Sequence, residues 1–241
     1  MEWSADARLA ATPEEAWYLN TAFTPGLQLG TVYDDPTTPV MVTGIEKLAS
    51  IRVPSGRIVV DAPFHDDEIW EYERGEPTRP PRELLQQVRP GTYRVELAWT
   101  AGPYEFFGEQ FDGVACAATR LVISDDAVAG WEMGLAVGDD VDRLPPGEQF
   151  RFFSDANVGC FADASAWTTL AAPFRTFVDG RPVERDTQML SDGCERLSDD
   201  TLGADLVTFT AESGGVVWLG RTATGDVACI AVTSGMPGAK A

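Results

Sequence analysis

After the turn dipeptide Pro90-Gly91, apolar Tyr93, Val95, Leu97 and Trp99 alternate with Thr92, Arg94, Glu96 and Ala98. A period of two puts one set on each face of an extended chain, so this segment predicts a half-buried β-strand. Trp131, Met133, Leu135 and Val137 repeat the pattern. Val114 to Ile123 is apolar on both parities except near Arg120, as expected of a strand covered on both faces. Ile58 to Val60 follows the turn Pro54-Ser55-Gly56, and Phe150 to Phe153 leads into a loop. Leu206 to Thr210, Val216 to Leu219 and Val227 to Thr233 complete the set, the last two joined by a Gly-containing hairpin turn over Thr222 to Asp226. These segments predict a mainly β fold, a β-sandwich or strongly bent antiparallel sheet, with a few short helices.

The clearest helix start is Thr12-Pro13-Glu14-Glu15, with Thr at the N-cap, Pro at the first helical position and Glu at the third. Short helices are also expected over Glu83 to Val88, over Ala164 to Ala172 behind an Asp163 N-cap, and within Asp186 to Leu202. Thr24 to Pro39, rich in Gly, Pro, Asp and Thr, reads as irregular. No repeat or long linker divides the chain. The expected organisation is an N-terminal helix and irregular extension over residues 1–44, packed on a single β-rich domain over residues 45–241.

The chain has 241 residues, with 38 acidic against 18 basic ones and a formal net charge of −20. Such a surface repels phosphate backbones and anionic lipid, which argues against nucleic acid and membrane as partners. It suits a basic protein, a divalent cation or simple solubility. The four cysteines, Cys116, Cys160, Cys194 and Cys229, form no C-x-x-C pair. The first residues lack the basic start and apolar core of a signal peptide, and no apolar run approaches membrane-spanning length. A reducing cytoplasmic setting is therefore expected, with no bound cofactor beyond a divalent cation.

Four landmarks occur in order. They are Pro54 to Val60 with Asp61 and Pro63; Pro90 to Leu97; Phe152 to Asp155 with Gly159-Cys160-Phe161-Ala162-Asp163; and Val217-Trp218-Leu219-Gly220-Arg221. Together they resemble the bacterial family called domain of unknown function 4241, over roughly Ile45 to Ser234. The resemblance implies a cytosolic bacterial protein and supplies no activity. Two places depart from the family pattern. Ala156-Asn157-Val158-Gly159 replaces a Gly-rich stretch before the cysteine, and Thr210 to Gly215 abbreviates a longer insertion.

Histidine occurs once, as His65 in an acidic stretch, and no nucleophile elbow, phosphate loop, dinucleotide fingerprint or zinc-protease motif is present. The segment of most interest is Asp155 to Asp163. Asp155, Asn157 and Gly159 mimic the start of a calcium loop, but Cys160 stands where that loop needs Gly and Ala166 where it needs Glu. A looser cation site would use Asp61, Asp155 and Asp163. The competing reading makes Asp163 a helix cap, Asn157 and Gly159 turn residues, and Cys160 and Phe161 core anchors. A second feature is the acidic-aromatic run holding Asp66, Asp67, Glu68, Trp70 and Tyr72, a candidate surface for a basic partner. Two functions follow. One is a non-catalytic intracellular binding protein, of immunity or conflict-system type. The other is a carboxylate-based, metal-dependent hydrolase or transferase.

Overall fold

The computed structural model describes residues 8–32, 35–64, 80–106, 109–154, 156–175, 177–178, 181–182, 186–211 and 213–233. Its strands are β1 (Gln28–Val32), β2 (Asp35–Val53), β3 (Ile58–Asp61), β4 (Gly91–Phe106), β5 (Glu109–Val122), β6 (Gly130–Met133), β7 (Arg151–Phe152) and β8 (Val158–Asp163). They continue as β9 (Phe177–Val178), β10 (Arg181–Pro182), β11 (Gln188–Met189), β12 (Glu195–Asp199), β13 (Ala204–Thr210), β14 (Gly215–Arg221) and β15 (Val227–Thr233). The helices are α1 (Pro13–Ala22) and α2 (Trp167–Ala171).

Among the described residues the protein is mainly β, with two main antiparallel sheets, a separate two-stranded β9–β10 ladder and few, short helices. The large sheet has the order β1-β2-β4-β5-β15-β14-β6, with β7 also on β14, and the small sheet runs β11-β12-β13-β8-β3. Apolar side chains from both sheets meet in one core: Ile51, Val53, Val95, Leu97, Val217, Leu219 and Ile230 from the large sheet, Ile58, Val60, Phe161, Val207 and Phe209 from the small one. The alternation read around Tyr93 therefore points into a sandwich.

Each outer face carries a helix. In α1, Thr12 accepts from the Glu15 N–H and Glu15 accepts from the Thr12 N–H, the reciprocal cap expected from the sequence. Tyr18 and Ala22 of α1 pack on Val42, Ala98 and Ala118 of the large sheet, and the Tyr18 hydroxyl donates to the Ala117 carbonyl at 3.0 Å. On the small sheet, Trp167 and Leu170 of α2 and the following Phe174 cover Val59, Cys160, Ala162 and Leu206.

Three expectations are corrected. Glu83 to Val88 is not helical. It pairs with sheet edges on both sides: the Leu84 N–H donates to Ile58 and the Val60 N–H to Arg82, while the Leu85 N–H donates to Leu135 and the Val137 N–H to Glu83. This strip joins the edge of the small sheet to the segment continuing β6, so two open edges are satisfied at once. Asp186 to Leu202 holds a 3-10 turn at Ser191–Gly193, β11 and β12 rather than an α-helix. Thr24 to Pro39 is not irregular throughout, because Gln28–Val32 and the start of β2 belong to the large sheet. Among the described residues, no helix is long and apolar enough to cross a membrane.

Leu84 is 1 % exposed and sits on the strip that joins the sheets. Leu84→Ala should cost about 3 kcal/mol, measured by urea denaturation, while unfolding stays a single transition. A loss below about 1 kcal/mol, or two separated transitions, would contradict a strip that couples the sheets.

Candidate functional site

The segment singled out in the sequence links β7 to β8. Phe152 is buried and Phe153 exposed, after which Ser154 folds back. Its hydroxyl donates to the Val158 carbonyl at 2.8 Å and accepts from the Val158 N–H at 3.0 Å. Asn157 adopts the left-handed conformation, at φ 54°, which Asn tolerates better than most residues. Its side-chain oxygen accepts from the Ser213 N–H at 2.9 Å and its carbonyl from the Ala211 N–H. The turn is thereby tied to the β13–β14 connection.

Gly159 has a packing reason. A Cβ there would lie 2.5 Å from the Phe209 ring and 2.8 Å from that of Phe152, closer than any side chain allows. The next residues alternate faces, as a strand must. Phe161 enters the inter-sheet core and meets Phe209 at 4.8 Å between ring centroids, while Cys160 and Ala162 face the helix. Burial pushes the Cys160 thiol well above its usual range, and the nearby Asp61 charge adds to this. A thiol held protonated in an apolar layer is a poor nucleophile.

Asp163 is fully buried. One carboxylate oxygen accepts from the Ser165 N–H at 2.8 Å and from its hydroxyl, which caps the 3-10 turn leading into α2. The other accepts from the Ser55 N–H at 2.9 Å and the Ser55 hydroxyl at 2.7 Å. The cap role read from the sequence is present, and the grip on Ser55 is additional. Asp61 is also buried, accepting from the Ala62 and Arg82 N–H groups at 2.9 and 2.8 Å.

The pairing register places these two carboxylates apart. Asp61 lies opposite Cys160, and Asp163 opposite Ile58, at the two ends of the β3–β8 ladder. Three residues of strand separate them by about 10 Å, and the odd spacing turns them to opposite faces. Asp155, the third proposed ligand, lies outside the described residues. Among the described residues no group of three or more His, Cys, Asp or Glu side chains converges for a metal ion. Asp66, Asp67, Glu68, Trp70 and Tyr72, and with them His65, also lie outside the described residues.

Among the described residues, the most heavily bonded charge is one that the sequence reading passed over. Asp205, at the start of β13, is 0 % exposed. It accepts from the Arg52 N–H at 2.7 Å and from two guanidinium nitrogens of Arg52, and Arg196 reaches it at 2.9 Å. Burial pushes this carboxyl up, but the hydrogen bonds from Arg52, Ser198 and Arg196 outweigh it and hold the group below its ordinary value. A charged residue opening an otherwise apolar strand was the available signal. Arg221, within the fourth landmark, plays a similar part: it donates to Glu132 at 2.9 Å and to Gln86 at 2.8 Å, binding β14 to β6 and to the connecting strip.

A family model described as a protein of unknown function, DUF4241, matches residues 51–233. The chain belongs to the DUF4241 family. The matched DUF4241 region starts near the inner end of β2 and ends on the last residue of β15, so it contains the small sheet and the large sheet from β4 onward, and leaves out α1, β1 and most of β2. No curated protein and no solved structure matches the chain.

The Asp205 cluster has a pH signature. An unfolded Asp titrates near about 3.9, and the folded value is lower. Between the two the unfolded state binds more protons, so the contribution of Asp205 is complete above the unfolded value and is lost as pH falls through the folded one. Asp205→Asn should cost about 2 kcal/mol at pH 7, and the gap to the parent protein should close as pH drops below about 4. Denaturant titrations across that range measure it; a gap that stays constant or widens in acid would contradict the assignment.

Proposed function

We propose that this DUF4241 protein is a non-catalytic binding protein whose partner is a basic protein. The observation that carries the reading is the state of the landmark loop: Asp163 and Asn157 are engaged in hydrogen bonds within the chain, and the Cys160 thiol is buried and protonated. Reactive groups need free lone pairs or an accessible thiolate, and these side chains offer neither.

The charge distribution supports the same reading. Arg52, Arg57, Arg82, Arg94, Arg120 and Arg221 each sit against a carboxylate within the fold. The chain nevertheless keeps a net charge of −20. Basic side chains thus serve internal pairs, and the surplus carboxylates remain for an outside partner. The acidic-aromatic run from Asp66 to Tyr72 is a candidate contact, with Trp70 and Tyr72 as anchors among charges. A cytoplasmic protein that neutralises a basic partner, of immunity or conflict-system type, fits these properties.

Affinity capture followed by titration of the purified partner tests the proposal. The expected partner is basic, its association slows about tenfold or more between 50 and 300 mM salt, and Asp66→Asn with Asp67→Asn and Glu68→Gln weakens it further. A neutral or acidic partner bound independently of salt would overturn the reading.

A further inference from the structure

We draw no further inference here: the strongest candidate, the open depression on the large sheet lined by Thr43, Gly44, Trp99 and Val114, carries nothing, because its neighbouring carboxylate Glu46 is already held by the Trp99 N–H and the Ser191 hydroxyl and nothing in the structure shows what covers this face.

Discussion

The chain leaves the large sheet at Val53 and enters the small one at Ile58, and two buried carboxylates hold that crossover. Asp163, at the end of β8, grips the Ser55 backbone and hydroxyl. Asp205, at the start of β13, grips the Arg52 backbone and guanidinium. Burying a carboxylate is costly unless its lone pairs are satisfied, and here each is met by several donors. Gly56 completes the turn at φ 70°, where a Cβ would strike the Val88 carbonyl at 2.3 Å. The relative placement of the sheets, and with it the shared core, follows from this junction.

That dependence gives the family landmarks a physical meaning. The segment from Pro54 to Asp61 supplies the crossover and the edge strand β3. The segment around Gly159 to Asp163 supplies the partner strand, the aromatic contact to Phe209 and the clamp. The segment ending in Arg221 supplies the ion pair that fastens β14 to β6. A Gly, a Cys, a Phe and an Asp in close succession resemble a reactive loop when read in one dimension. In three dimensions they are a clearance, a buried apolar surface, a core ring and a cap.

Much of the sandwich was legible in the sequence because two-residue alternation survives wherever one face is buried. The Thr12–Glu15 cap was legible for the same local reason. What misled was tertiary context. Glu83 to Val88 is built from good helix formers, yet the unpaired edges of β3 and the β6 extension recruit it as a strip, which outweighs a propensity of a few tenths of a kcal/mol per residue. Glu195 to Asp199 shows no apolar period because β12 lies toward the sheet edge with only the short β11 beyond it. Gly, Pro, Asp and Thr suggested an irregular Thr24 to Pro39, but the start of β2 pairs with β1 on one side and meets β4 only from Met41 onward, so prolines are tolerated there. The charge of Asp205 near the start of an apolar strand was readable, but its partner Arg52 lies 153 residues away and was not.

The central claim is that the landmark carboxylate Asp163 holds the crossover rather than a cation. The most direct measurement is a double-mutant cycle of Ser55→Ala and Asp163→Asn by urea unfolding, run in EDTA and in magnesium, calcium and manganese. The account predicts a coupling of about 1 kcal/mol or more between the two positions, the same in every solution. Independent effects at the two positions, with stabilisation by a cation that Asp163→Asn removes and that reaches about 2.7 kcal/mol at a hundredfold excess over its dissociation constant, would contradict it.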